Sequence, residues 1–141
     1  MIDVMRGKLV NIVKNKTADI VVHFCNCEHK LESKNSKSLA KAFPAVKEAD
    51  ENTAYRDSEK LGSYSETIID GVSVISLYSQ FYSGKIDYNI DYKALRAGLT
   101  AVRNKYKGKK FAIERVDYEH WDSMRKNIIK IMEKENVLIV I

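Results

Sequence analysis

The segment Ala18-Asp19-Ile20-Val21-Val22-His23-Phe24-Cys25 is a nearly continuous run of apolar and β-branched residues. Such a run is typical of a strand that is covered on both faces, which usually means a sheet with helices on either side. The polar residues 28–35 that follow are expected to form a loop. In residues 36–43 the apolar side chains recur at helical spacing until Pro44 interrupts them. The sequence therefore predicts a buried strand, a loop and a helix, which together begin an α/β domain.

The same kinds of pattern predict the remaining elements. Strands are expected at residues 2–5, 9–13, 63–69, 72–80, 110–114 and 137–141, with Asp70-Gly71 as a strong hairpin signal. Helices are expected at residues 45–55, from an N-cap at Asp91 to a stop at Gly108, and at residues 121–134. Strands that alternate with helices indicate one α/β domain over residues 1–141, with a mixed sheet between two helical layers.

Length and composition exclude several classes of protein. The chain has 141 residues, and its 6 glycines, 1 proline and 2 cysteines do not fit collagen-like, disordered or disulfide-rich proteins. Its apolar residues form no run approaching ~18 residues, so no membrane span is expected. The first residues lack the basic and apolar regions of a secretory signal, so we expect a cytoplasmic protein. In that reducing compartment Cys25 and Cys27 are expected to be free thiols.

The chain is basic, with 24 Lys and Arg against 19 Asp and Glu and a formal net charge of +5. This excess favours encounters with phosphate-bearing ligands. The densest basic run, residues 103–110, falls at the expected end of a helix, where the helix dipole stabilises cations. We therefore interpret the run as a solvated helix terminus, and we do not expect the protein to bind nucleic acid.

The stretch His23-Phe24-Cys25-Asn26-Cys27-Glu28-His29-Lys30-Leu31, then eleven residues, then Phe43-Pro44-Ala45, resembles the first signature of macro domains. It is most similar to the branch that contains ADP-ribose-1″-phosphate phosphatases, common in bacteria and large phages. Later segments, among them Lys60-Leu61-Gly62-Ser63-Tyr64 and the Trp that opens the last helix, are also similar. The resemblance implies a three-layer α/β/α fold, an ADP-ribose-like nucleotide as ligand and, if the protein is an enzyme, a phosphatase-like hydrolase.

Three parts of the family's ligand site are altered in this sequence. The family's Gly-Asp, whose carboxylate accepts a hydrogen bond from adenine, is matched by Gly7-Lys8. Its first glycine-rich phosphate loop is matched by Glu32-Ser33-Lys34, and its second by residues 114–121, which contain no glycine. Glycine serves such loops because it admits positive φ angles and leaves room for the ligand. Loss at all three positions predicts either another ligand or no small-molecule ligand, and impaired catalysis.

The resemblance also implies a set of site residues. Asn26 matches the family residue that contacts the distal ribose, and Lys34 and Arg115 would supply charge in place of the lost glycine amides. The expected ligand-binding set is Asn26, His29, Ser33, Lys34, Arg115 and Tyr118. His120, which replaces the family's Asp before Trp, is the expected acid or base with Asp117 beside it. An alternative is that His120 caps the following helix and faces solvent.

His23, Cys25, Cys27 and His29 alternate along the chain, which raises the question of a metal site. In an extended strand the outer histidines would lie ~20 Å apart, whereas zinc needs ligands at ~2.0–2.3 Å. We therefore expect neither a metal ion nor another cofactor.

Two functions remain open from the sequence. The first is recognition of ADP-ribose or a related nucleotide derivative by a divergent macro domain. The second is a non-catalytic binding protein, phage-encoded for example, that engages a host or defence protein or sequesters a signalling nucleotide. The first is favoured because the cleft at the carboxyl ends of the strands should survive sequence change.

Overall fold

The structure, a computed structural model, describes residues 1–84, 90–116 and 121–141. Its described strands form one six-stranded sheet in the order β1-β6-β5-β2-β4-β3. All neighbouring strands are parallel except β3 and β4, which are antiparallel. The strands are β1 (Ile2–Met5), β2 (Ile20–Asn26), β3 (Tyr64–Ile69), β4 (Val72–Gln80), β5 (Lys110–Glu114) and β6 (Asn136–Val140).

Five α-helices of the described chain cover the sheet. They are α1 (Leu9–Asn15), α2 (Lys34–Ala42), α3 (Pro44–Glu51), α4 (Tyr92–Lys105) and α5 (Trp121–Met132). Leu99 and Ile128 of α4 and α5 pack with Phe24 on one face of the sheet. Leu39 and Val46 of α2 and α3 join a second core on the other face. The three-layer α/β/α architecture and its mixed central sheet are thus confirmed, and β2 is buried along its whole length.

One expected strand is wrong. Residues 9–13 lie in α1 instead of a strand. Leu9, Ile12 and Val13 are buried together, and their i, i+3, i+4 spacing places them on one helical face. The helix ends at Lys16, whose left-handed φ of 54° lets its N–H reach the carbonyls of Ile12 and Val13. In so short an apolar segment, strand and helix patterns overlap.

Local sequence signals explain most element boundaries. The Ser33 hydroxyl accepts the Ser36 N–H and caps α2, which starts before the expected residue 36. Pro44 occupies the first turn of α3. The predicted hairpin is confirmed, with Asp70 and Gly71 at φ 47° and 84°. Asp91 caps α4 as expected, since its carboxylate accepts the Ala94 N–H at 2.9 Å.

The sheet leaves a crevice at the carboxyl ends of its central strands. The pairing of β2 with β5 stops at Val22 and Ile113, so the two strands part beyond these residues. The pairing of β2 with β4 shifts register between Cys25 and Asn26. In open α/β sheets, ligands bind at such carboxyl ends. We call this crevice, together with residues 27–33 that follow β2, the strand-end cleft.

Across the described parts of the chain, every helix is too short or too polar to cross a lipid bilayer.

Candidate functional site

Asn26 ends β2 at the floor of the strand-end cleft and is 3% exposed. Its side-chain oxygen accepts the N–H groups of Glu28 at 3.0 Å and Lys30 at 3.3 Å. Its amide nitrogen donates to the Lys30 carbonyl at 2.7 Å. Asn26 therefore folds the loop back on itself, and a ligand would have to share the side chain with these backbone groups.

Two glutamates join this loop to the segment after β4. Glu28 accepts both the N–H and the hydroxyl of Ser83, and its other oxygen accepts the Arg56 Nε at 2.7 Å. These hydrogen bonds, that from the Ser83 backbone first, hold the pKa of Glu28 down at about 2. Glu32 is exposed and accepts the Gly84 N–H at 3.0 Å. The N–H groups of Ser83 and Gly84 are thus already paired with carboxylates.

A chain of hydrogen bonds runs from the cleft into the core. Ser33 donates to the Ser36 hydroxyl at 2.8 Å, and Ser36 lies 2.7 Å from His23 Nδ1. His23 Nε2 lies 2.7 Å from the Ser76 hydroxyl of β4. His23 is fully buried, and burial lowers its pKa to about 4. The imidazole is therefore neutral near pH 7 and links α2 to two strands of the sheet.

Glu114 lies where β2 and β5 part. Its carboxylate accepts the Phe24 N–H at 2.6 Å. This bond joins the two strands just beyond the last pair of their ladder, Val22 and Ile113. The side chain is fully buried, and in the described structure its second oxygen has no hydrogen-bonding partner at ordinary distance. Burial raises the pKa of Glu114 to about 7, although Phe24, Ser33 and Asn35 oppose the shift. An ionisable carboxyl therefore lies beneath the cleft.

Asn35 connects the cleft to α1. Its side-chain oxygen accepts the N–H of Leu9, the first residue of that helix, at 3.1 Å. The preceding Lys8 is exposed and uses no side-chain hydrogen bond to cap the helix. Position 8 therefore holds a lysine, where the Gly-Asp of macro domains would place a carboxylate to face adenine.

The other described site residues lie in two places. His29 has a left-handed φ of 58°, and its Nε2 lies 2.9 Å from the Thr53 carbonyl. Lys34 is exposed at the first turn of α2. Arg115, directly after β5, lines a groove beside Trp121 on the α5 side of the sheet. The structure therefore places Asn26, His29, Ser33 and Lys34 between the end of β2 and the first residue of α2, and Arg115 on another surface.

The expected catalytic pair, His120 and Asp117, lies outside the described residues, as does the expected ligand-binding Tyr118. Cys25 and Cys27 are buried and form no disulfide. Burial raises the pKa of both thiols. In the described portion of the chain, no group of three or more His, Cys, Asp or Glu side chains is arranged to hold a metal ion.

The sequence did not single out Glu114, Asn35 or Arg56 as site residues. Their partners are distant in the chain: Glu114 is 90 positions from Phe24, Asn35 is 26 from Leu9, and Arg56 is 28 from Glu28. A charged residue directly after the apolar Phe111-Ala112-Ile113 was the one local signal available for Glu114.

Comparison with known proteins gives one relative in sequence. No family model matches the chain. A stretch of 80 residues is 40% identical to an uncharacterised 17.5 kDa protein in the tk-vs intergenic region of Enterobacteria phage T4. The stretch spans 53% of this chain and 50% of the phage protein, so the match covers about half the length of that relative.

Solved structures match over the whole chain. A macrodomain protein from Streptomyces coelicolor has a TM-score of 0.73 at 15% identity, covering 100% of this chain and 99% of that one. DarTG of Thermosipho africanus, in complex with ADP-ribose, has a TM-score of 0.70 at 9% identity, covering 98% of this chain and 41% of that one. The chain therefore has the macrodomain fold, in the divergent form that its sequence implied.

Proposed function

We propose that the protein binds an ADP-ribose-like nucleotide in the strand-end cleft and does not act as a phosphatase. Two observations support binding: the likeness over the whole chain to a macrodomain protein, and the likeness to part of DarTG, whose structure was solved in complex with ADP-ribose. The parting of β2 and β5 provides the crevice in which ligands of open α/β sheets are bound.

The side chains of the loop after β2 suggest how the ligand is held. Lys34 offers a cation at the first turn of α2, where the helix dipole also favours an anionic group. The Asn26 amide nitrogen has two protons and donates one to the Lys30 carbonyl, which leaves the other for a ribose hydroxyl. We assign Lys34 to the phosphates and Asn26 to the sugar.

The same loop argues against phosphate-ester hydrolysis. A phosphatase needs donors aimed at the developing negative charge and an acid or base that touches the substrate. The N–H groups of Ser83 and Gly84 are paired with Glu28 and Glu32 instead. His23 and Glu114 are fully buried, so neither touches a ligand in this arrangement.

Thermal melting and calorimetry with ADP-ribose and ADP-ribose-1″-phosphate test the proposal. A ligand at about 100 times its Kd should add ~2.7 kcal/mol to the stability of the protein. Lys34→Ala should weaken binding about tenfold, whereas Lys37→Ala, an exposed neighbour on the same helix, should leave the affinity unchanged. Absence of binding by either ligand contradicts the proposal. If the protein releases phosphate from ADP-ribose-1″-phosphate, and His120→Ala abolishes that release, the statement that the protein is not a phosphatase is contradicted.

A second candidate function is binding of a protein partner, such as a host or defence protein if the gene is carried by a phage. The observation that favours it is an apolar surface away from the cleft. Val4 is 64% exposed and Ile141 is 40% exposed, and both border the groove that Arg115 lines. Sequestration of a signalling nucleotide would instead use the strand-end cleft and would appear in the same melting experiments with cyclic nucleotides.

A further inference from the structure

A groove lies between the edge strand β1, the neighbouring β6 and helix α5. It has a volume of about 260 Å³. Eight described residues line it, and six of them are apolar: Ile2, Val4, Trp121, Ile129, Ile139 and Ile141. Pockets that hold whole small-molecule ligands usually measure ~300–1,000 Å³. The groove is therefore better matched to one or two large side chains than to a nucleotide.

The backbone beside this groove is open to pairing. Met1 and Met5 direct their carbonyls to the N–H groups of Val137 and Ile141, at the β6 side. Because main-chain groups alternate along a strand, those of Ile2 and Val4 point to the other side. Within the described chain no strand lies on that side, since β1 ends the sheet. Ile2 and Val4, which line the groove, thus also form the edge that no described strand pairs with.

The two remaining lining residues are cationic. Arg115 and Arg125 border the groove from the end of β5 and from α5. Among the described residues, neither guanidinium forms a salt bridge, whereas Arg56 and Lys105 each pair with a glutamate. Asp3 lies between Ile2 and Val4 and so points to the opposite face of the sheet. The charged side chains among the described lining residues are therefore both cationic, and they complement an acidic partner.

From these three features we infer that the groove docks an extended segment of a partner protein, which adds to the edge of β1. The segment carries apolar side chains at alternate positions, which enter the groove, and carboxylates that meet Arg115 and Arg125. Addition of a strand gives affinity through main-chain hydrogen bonds, and the pockets for alternate side chains give specificity. The inference deepens the second candidate function and does not depend on nucleotide binding.

Selection from a displayed library of random peptides against the immobilised full chain tests the inference. Enriched peptides should combine alternate apolar residues with Asp or Glu. A synthetic copy of the best peptide should bind at least tenfold more weakly to Val4→Asp and to Arg125→Glu. Because Val4 is 64% exposed, its substitution should not unfold the protein.

Matched controls come from elsewhere in the chain. Ile68 is 66% exposed on β3, the opposite edge of the same sheet, so Ile68→Asp should leave peptide affinity unchanged. Lys126 is exposed on α5 but does not line the groove, so Lys126→Glu serves as the charge control. ADP-ribose titrations of Val4→Asp should match those of the unmodified chain, which separates a failure of this inference from a failure of the nucleotide proposal.

Four results would overturn the inference. They are the absence of enriched peptides, enrichment of neutral or basic ones, peptide binding that survives Val4→Asp, and a different occupant of the groove. A dimer in light scattering that Val4→Asp dissociates would identify a second copy of the chain as that occupant. Binding to phosphatidylglycerol vesicles that Val4→Asp abolishes would identify a lipid surface.

Discussion

The strand-end cleft and the β1 edge differ in how far their polar groups are already paired. In the cleft, Asn26, Glu28 and Asn35 are bonded to backbone N–H groups of the same chain. At the β1 edge, Ile2 and Val4 direct main-chain groups away from the sheet, and Arg125 has no carboxylate partner among the described residues.

This difference predicts different thermodynamics at the two places. A ligand in the cleft meets polar groups that are already partly paired, and only the surplus over any bond it displaces appears as affinity. A strand added at β1 displaces water from groups that are otherwise unpaired, and buries apolar surface that is now exposed. Substitutions that remove buried internal hydrogen bonds should therefore cost much stability, whereas those at the edge should cost little.

The largest effect is expected when the buried chain of hydrogen bonds is broken. His23→Leu leaves the Ser36 and Ser76 hydroxyls without their buried partner, at ~1–3 kcal/mol each. We expect a loss of about 3 kcal/mol or more in urea unfolding. The double variant His23→Leu, Ser76→Ala should recover part of the loss, because it no longer leaves the Ser76 hydroxyl buried without its partner. A single-variant loss below ~1 kcal/mol would show that the chain of bonds is not structural.

The next effect is a dependence of stability on pH. The pKa of Glu114 rises from 4.5 to about 7 in the folded state, so its contribution is complete below pH 4.5 and is lost as the pH rises towards 7. The pKa of His23 falls from 6.5 to about 4, so its contribution is present above pH 6.5 and is lost as the pH falls towards 4. Between pH 4.5 and 6.5 the two slopes oppose each other.

Glu114→Gln should reveal the His23 slope alone. Stability of this variant should rise between pH 4.5 and 6.5, and by pH 8 the variant should gain about 3 kcal/mol relative to the unmodified chain. Urea unfolding across this pH range measures both quantities. Glu133→Gln, an exposed position, is the matched control. Parallel pH curves for the variant and the unmodified chain would rule out an ionisable Glu114 beneath the cleft.

A smaller effect is expected at Glu32, which is exposed in the loop before α2. Glu32→Ala removes a negative charge near the proposed phosphates, and exposed charges contribute ~0.2–1 kcal/mol. ADP-ribose should therefore bind about two- to fivefold more tightly in calorimetry. Glu59→Ala provides the control for a lost exposed carboxylate. Weaker binding by Glu32→Ala would mean that its bond to Gly84 is needed to shape the cleft.

The smallest effect belongs to the β1 edge. Val4→Asp should change the free energy of unfolding by less than ~0.5 kcal/mol, because most of the side chain is already in water. Urea unfolding beside Ile68→Asp checks this expectation at both edges of the sheet. A cost above ~2 kcal/mol would place Val4 in the folded core and remove the contrast between the two regions.

Most of the fold could be predicted from sequence because its signals are local. The apolar run of β2, the Asp70-Gly71 turn and the Asp91 cap each act within a few residues. Residues 9–13 were misread because a segment this short fits both periods, and packing of Leu9 and Ile12 against the sheet decides between them.

Less of the candidate site could be predicted. The family resemblance predicts Asn26, Ser33 and Lys34 as site residues, and in the structure they lie between the end of β2 and the first turn of α2. His23 bonds Ser76, which is 53 positions away in the sequence, and Glu114 bonds Phe24, which is 90 positions away. Only folding brings these residues together. No periodic pattern in the sequence carries that information.

The pairing of β1 with β6 has a consequence for the order of folding. Residues 2–5 find their strand partner only at residues 137–140, and the amino group of Met1 bonds the Glu135 carbonyl. During synthesis β1 therefore cannot pair with β6 until almost all of the described chain has been made. Contacts between such distant residues slow folding. Until β1 pairs with β6, its exposed edge can promote aggregation. Shortening the chain before residue 136 should release β1 and remove the groove with it.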